Sequence, residues 1–382
     1  MTRFRHGLLI GKFYPPHRGH HAAIRAGATA CERFTVVVMS SARETVPLAD
    51  RLAWLRAEHT TDANVRVTGI PCDAPLDVDD PQVWAAQVAT MRAALAQDDP
   101  HAPPVDAVVS HDDYGAELAA RFGATWLRVE RPAGEPSGTA VRFDLTSGWG
   151  DLAPATKAGL ATRVVVLGAE STGTTTVARA LTQQVRRRGG VWERTACVEE
   201  YGREHTEVKW AAAVTAAEQR GATPPALDEI VWNAADFDVV GVEQTRRENV
   251  AAGNGSPLLV CDTDAFATAQ WERRYLGDAA RPDPDYAREL PAHHVYLLTD
   301  HEGVPWHDDG MREGDLAVRA AMTGWFTAAL TRAGHSWVLL TGTEAQRIDL
   351  ALRTTDQLLE HRLRFADPLY GPGFAPTART SG

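Results

Sequence analysis

Ten short runs of β-branched and apolar residues, separated by Ala-rich stretches, restrict the folds open to this chain more than any other feature. The first five are "GLLIG", "FTVVVMS", "VRVTGI", "DAVVSHD" and "TWLRVE". Between the first four lie "AAIRAGATACERF", "ADRLAWLRAEHT" and "VWAAQVATMRAALAQ", whose composition favours helix. Strand and helix in alternation predict a parallel sheet covered on both faces, a doubly wound α/β unit. The pattern lapses around "DLTSGWGDLAPATKAGLAT", where Gly, Pro, Ser and Thr predict a connection. It resumes with "TRVVVLG", "ACVEEYG", "PLLVCDTD", "HVYLLTD" and "SWVLLTG", and helices are predicted near 174–189, 226–252, 264–275 and 315–333. At 382 residues the chain exceeds what one core usually holds. The expectation is therefore two α/β domains, 1–147 and 162–366, with a linker at 148–161. The tail at 367–382 lacks apolar periodicity and is expected to be mobile.

Two stretches carry chemistry. In "GKFYPPHRGHHAAI" a strand ends at Gly11, prolines force a turn, and a helix starts at His17. His17 and His20 stand three apart, so one helical turn brings both imidazoles to one side. Gly19 removes a side chain where a ligand can approach the backbone. Free amides at a helix N-terminus, two imidazoles and Lys12 together suit a polyphosphate. In "GAESTGTTT", Gly168, Gly173 and Thr175 match a phosphate-binding P-loop, with Ser171 inside it. The lysine slot holds Thr174. Further along, "PLLVCDTDAFAT" is an apolar strand ending in Asp262 and Asp264, candidates to hold Mg²⁺ beside Thr175. The alternative is an acidic helix cap.

The first stretch resembles the nucleotidyltransferase superfamily. With Lys12, "SHDDYG" and "PSGTAVR", it is similar to nicotinamide-mononucleotide adenylyltransferase as found in the bifunctional NadR family. That resemblance implies ATP-phosphate contacts from His17 and His20, an ATP-binding turn at Gly11, Phe13 and Gly19, and a triphosphate clamp from Ser137, Thr139 and Arg142. Gly138 stands where the family's second serine usually lies. Trp54 is a candidate to stack on nicotinamide, against the alternative of a core aromatic. Beyond the P-loop, "EEYGRE" and "VPWHDDGMREGD" look like that family's ribosylnicotinamide kinase domain. The resemblance then implies substrate contacts from Glu200, Tyr201 and Arg203, with Trp306 over nicotinamide and Asp309 on a ribose hydroxyl. Arg312 is expected on a lid above the phosphates. It is the first candidate to replace the missing lysine charge, and Arg319 is the second.

The implied chemistry is adenylyl transfer from ATP to nicotinamide mononucleotide, with phosphorylation of nicotinamide riboside and Mg²⁺ as cofactor. One alternative keeps only the transferase and makes the P-loop domain a nucleotide-binding regulatory module. Another replaces the acceptor with pantetheine phosphate or flavin mononucleotide. A net charge of −11 argues against non-specific nucleic-acid binding, and the first strand starts with no helix-turn-helix before it. Only Lys12, Lys157 and Lys209 are lysines, so phosphate binding falls mainly to arginine, imidazole and backbone. Cys31, Cys72, Cys197 and Cys261 form no CxxC pair, as in reducing compartments. With no signal peptide and no apolar run of roughly 18 residues, a cytoplasmic protein without membrane partners is expected. A homo-oligomer is left open.

Overall fold

A computed structural model of the chain describes residues 3–74, 77, 79–130, 134, 137–288, 290–303 and 316–366. The expected tail at 367–382 lies outside them. The chain divides into two compact units, Met1–Gly159 with Leu363–Gly382, and Leu160–Arg362.

The first unit runs β1 (Phe4–Gly11), α1 (Arg18–Ala30), β2 (Cys31–Ser40), α2 (Leu48–Glu58), β3 (Val65–Pro71), α3 (Pro81–Asp98), β4 (Ala107–Ser110), α4 (Tyr114–Phe122), β5 (Thr125–Arg128), α5 (Gly138–Phe143), α6 (Leu145–Gly148) and α7 (Pro154–Leu160). Its five strands are ordered β3-β2-β1-β4-β5, and every pairing is parallel. Side chains alternate across the sheet, as the period of two requires. Leu9, Val36 and Val38 join Ile24, Phe34 and Leu55 on one face. Leu8 and Val37 join Trp84, Met91 and Leu118 on the other. Strand order reverses between β1 and β4, and such a switch point opens a crevice at the strands' carboxyl ends.

The second unit runs β6 (Thr162–Gly168), α8 (Thr174–Arg186), β7 (Ala196–Val198), α9 (Tyr201–Gln219), α10 (Ala234–Asn254), β8 (Leu258–Asp262), α11 (Ala265–Leu276), β9 (Val295–Thr299), α12 (Leu316–Ala333), β10 (Trp337–Leu340) and α13 (Glu344–Arg362). Its strands are ordered β10-β9-β6-β8-β7, again all parallel. Every residue of β6, β8 and β9 is buried, which explains why these runs read as continuous apolar strands.

All ten expected strands form, but the connection does not run as a linker. Within 148–161, Trp149 is fully buried and Leu152 nearly so, and α7 occupies 154–160. Large apolar residues inside a Gly- and Pro-rich stretch have drawn it onto the first unit, whose contiguous part ends at Gly159. Helix α10 starts at Ala234, later than the expected 226. Asn233 caps it by accepting the Ala235 amide, while its own amide donates to the Asp236 carboxylate. Among the described residues, no helix is long and apolar enough to cross a membrane.

Candidate functional site

In the first unit the chain leaves β1 at Gly11 and reaches α1 through a turn closed by His17. His17 Nδ1 accepts the Gly19 amide at 3.2 Å, and His20 Nδ1 accepts the His17 amide at 3.3 Å. A ring nitrogen that accepts a hydrogen bond carries no proton, so Nε2 is the donor on both neutral rings. The ring centroids lie 3.8 Å apart. Phe13, at φ 47°, sets its ring 4.8 Å from that of His20. Gly19 is buried beneath them.

The segment Ser137–Arg142 comes to the same place. A Cβ on Gly138 would stand 3.6 Å from His17 Nε2, 3.8 Å from His20 Cε1 and 3.4 Å from Arg142 Nη1. Arg142 donates to the Tyr14 carbonyl at 3.0 Å and to the Thr139 hydroxyl at 3.1 Å. Ser137 caps α5, its hydroxyl accepting the Ala140 amide at 3.1 Å. Lys12 Nζ lies 2.7 Å from Glu44 Oε1, and Arg51 Nη1 lies 2.6 Å from Glu44 Oε2. Burial pushes the Glu44 carboxyl up. Bonds from Lys12 and the Ser41 amide, with the Arg51 charge, outweigh it and hold the pKa below its ordinary value. Glu44 thus fixes the stem of the turn and a partly exposed cation together.

Beside this turn a cavity of about 500 Å³ is lined by Gly11, Lys12, Trp84, Gln87, Asp112 and Tyr114, among others. It sits at the switch point between β1 and β4. Trp54 is not among its lining residues. That indole is buried on α2, and a Cβ on Gly159 would collide with it. Trp54 thus packs away from the cavity, which its expected stacking role would require it to line; Trp84, itself part of the core, and Tyr114 are the aromatics that reach the cavity. Sequence reasoning passed over Trp84 because its helix carries no motif.

In the second unit β6 delivers Gly168 to the loop, where a Cβ would collide with the Thr299 and Thr172 hydroxyls. Gly173 adopts φ 87°, which favours glycine. Ser171 lies at φ 58°. The Thr172 hydroxyl donates to the Ala169 carbonyl at 2.7 Å and shares a bond with Thr299 Oγ1 at 2.6 Å. Such a loop, opening into α8, turns successive amides toward one anion site. Thr175 Oγ1 donates to Asp262 Oδ2 at 2.6 Å. Burial raises the Asp262 pKa, and hydroxyl bonds from Thr175 and Thr174 offset part of the rise. A hydroxyl and a carboxylate in contact are hard oxygen donors that fit Mg²⁺.

Asp264 does not share that position. Thr263 adopts φ 68° and breaks the strand's alternation, so Asp264 turns away. It caps α11 through the Ala267 amide at 2.8 Å and accepts the Tyr296 hydroxyl at 2.8 Å. Burial raises its pKa to about 6, against the pull of His293. The metal role expected of Asp264 is corrected to a buried cap. Glu200 precedes α9, Tyr201 lies under the Arg247 guanidinium at 4.4 Å, and Arg203 is exposed. Trp306, Asp309 and Arg312 lie outside the described residues. Two aromatics unnoticed in the sequence stand near the loop: Trp232 stacks on Tyr275 at 5.9 Å, and the Tyr275 hydroxyl lies 3.4 Å from Glu170 Oε1. Behind the loop, Arg319 donates to the Ser171 carbonyl and Arg347 to that of Thr172.

An α/β unit with two histidines after its first strand, followed by one with a P-loop after its own, defines a two-domain fold whose second part matches the AAA domain family over residues 163–347. The chain is NadR-like. The trifunctional NAD biosynthesis/regulator protein NadR of Salmonella typhimurium is 22% identical over 327 residues, 80% of this chain and 71% of that protein. The solved structure of a NadR protein in complex with NR shares the fold at a TM-score of 0.59 and 18% identity, over 97% of this chain and 99% of that one. A NadR protein in complex with NAD and AMP-PNP does so at 0.59 and 19%, over 94% and 98%.

Proposed function

We propose that the chain makes NAD⁺ in two ATP-dependent steps. The second unit phosphorylates nicotinamide riboside, and the first joins the resulting mononucleotide to the AMP part of ATP. The observation that carries this reading is the pair of histidines whose Nδ1 atoms are both engaged by backbone amides. Each neutral ring then carries its proton on Nε2, the atom that would donate to phosphate oxygen beside Arg142. In adenylyl transfer a phosphate oxygen of the mononucleotide attacks the ATP α-phosphorus and pyrophosphate leaves. The nucleophile is already deprotonated, so no general base is needed. In-line positioning and neutralisation of charge do the rest. Trp84 and Tyr114 offer aromatic faces to a nicotinamide ring in the cavity.

In the second unit the loop amides cradle the triphosphate, while Trp232 and Tyr275 offer a stacking surface for the riboside. Thr175 and Asp262 would hold Mg²⁺, which would supply neutralisation of the triphosphate charge when bound. The NadR relatives solved with NR, and with NAD and AMP-PNP, support these ligand classes.

A second reading rests on Thr174. Without a lysine, the P-loop unit binds nucleotide as a regulatory module and transfers nothing. One assay separates the two. Purified protein with Mg·ATP receives either the riboside or the mononucleotide, and both products are followed. The bifunctional reading expects NAD⁺ from the second and mononucleotide from the first. NAD⁺ without riboside phosphorylation overturns it in favour of the module. His17→Ala is expected to lower adenylyl transfer by roughly 100-fold or more and to leave riboside phosphorylation unchanged. Loss of both contradicts independent sites.

A further inference from the structure

We infer that Arg319 and Arg347, buried behind the P-loop, supply the positive charge that a loop lysine otherwise brings, and that they act on bound phosphate through the loop's own peptide groups. The inference rests on the second unit being a nucleoside-triphosphate site.

The two side chains are among the largest fully buried in the protein, with Arg319 at 0% and Arg347 at 2% exposure. Arg319 Nη2 donates to the Ser171 carbonyl at 3.2 Å and lies 3.5 Å from the His301 carbonyl. Arg347 Nη1 donates to the carbonyls of Thr172 at 3.3 Å and Asp300 at 2.7 Å. Its Nη2 donates to the Glu302 carbonyl at 2.6 Å and its Nε to that of Gly342 at 2.9 Å. Every one of these acceptors is a neutral carbonyl. Among the described residues neither guanidinium forms an ion pair, and the nearby Asp300 carboxylate turns to His301 Nδ1 at 3.2 Å. Among the described residues, Arg319 Nε and Nη1 have no hydrogen-bond partner.

Burying a charge without an ion pair is costly; Asp300 offsets part of that cost at Arg347 and no described residue does at Arg319, so the pair still favours an anion close by. The loop shows where it belongs. The Ser171 carbonyl shares a peptide group with the Thr172 amide, and the Thr172 carbonyl shares one with the Gly173 amide. A cation on the carbonyl polarises that peptide and makes its N–H a stronger donor. In a P-loop those amides face the phosphates. The same charges also act directly through the intervening protein, where they are screened less than in water. Burial lowers the pKa of both side chains, yet arginine starts so high that both remain charged at neutral pH. Thr174 needs no charge of its own if the field comes from behind the loop.

The test measures binding of a non-hydrolysable ATP analogue and of adenosine by calorimetry. It uses full-length H17A/H20A protein, so that only the second unit offers a triphosphate site. Arg319→Gln is expected to weaken the analogue about tenfold or more, the scale of one unit charge at such a distance, and to leave adenosine within about twofold. Thr174→Lys in the Arg319→Gln background is expected to restore most of the loss. Arg347→Gln should behave alike. Equal losses for adenosine and analogue, or no rescue by the lysine, overturn the inference. If Arg319→Gln does not fold, Thr174→Lys alone decides. Added to a loop already supplied with charge, it is expected to tighten the analogue by less than about threefold, and a gain of tenfold or more overturns the inference. Absence of analogue binding in the parent overturns the triphosphate reading and this inference with it. Binding that Arg319→Gln and Arg347→Gln leave unchanged overturns this inference alone.

Discussion

At the end of β1 the groups that gather are side chains: two imidazoles, Arg142, and Lys12 held by a buried carboxylate. At the end of β6 they are main-chain amides on a glycine-bounded loop, with the charged side chains set behind it. The first arrangement depends on the identity of each residue but leaves space around them; even Gly138 has room for a Cβ at ordinary contact distances. The second keeps its loop with Thr174 in the slot a lysine otherwise fills, yet has no room for one more carbon at Gly168. A site made of side chains is lost by subtraction, and one made of backbone is lost by addition.

The largest effect should follow from addition to the backbone site. Gly168→Val forces the loop off the Thr299 and Thr172 hydroxyls. Riboside phosphorylation is expected to fall about 100-fold, since a displacement near 1 Å costs that much, with adenylyl transfer retained. Equal losses in both assays would break the contrast. Next comes subtraction beneath the side-chain site. Glu44→Gln leaves Arg51 buried without its counter-charge and is expected to cost about 3 kcal/mol in urea unfolding at neutral pH. The folded-state pKa of Glu44 is depressed below its ordinary 4.5. Its contribution is therefore complete above that value and fades as pH falls through the depressed one. The gap between the two proteins should close in acid; a constant gap would trace the cost to packing. The smallest effects separate the two tryptophans. Trp84→Leu is expected to raise the KM for the mononucleotide about tenfold, whereas Trp54→Phe leaves KM unchanged and costs about 1 kcal/mol of stability. A KM effect at Trp54 would reverse their assignment.

The strands and both glycine-framed turns were legible because their signals are local. An apolar run or a fixed spacing around a turn needs no knowledge of the rest of the chain. Helix α9 escaped because only His205 and Ala217 along it are buried, which leaves no apolar stripe to read. Trp54 and Trp84 both sit in Ala-rich helices, and only the sheet order, which sets β4 beside β1, decides which one meets the crevice. Asp264 looked like a partner of Asp262 because a strand puts alternate residues on one face. A single left-handed residue, Thr263, undid that rule. Arg319 was legible as the second candidate for the missing charge, but Arg347 carries no motif and meets the loop only through tertiary packing.

The chain leaves the first unit at Gly159 and returns to it at Leu363. The second unit is thus an insertion, spliced into its host near the end. The returning residues are not idle: Phe365 packs edge-on against Tyr14 at 5.1 Å, and the Ala366 carbonyl accepts the Tyr14 hydroxyl at 3.0 Å. Tyr14 belongs to the turn that leads to His17, and its own carbonyl holds Arg142. A gene cut after codon 160 would encode an N-terminal half without the clasp on its own histidine turn. Separating the halves intact calls for splicing 363–366 back onto the first piece, so the two share one covalent fate.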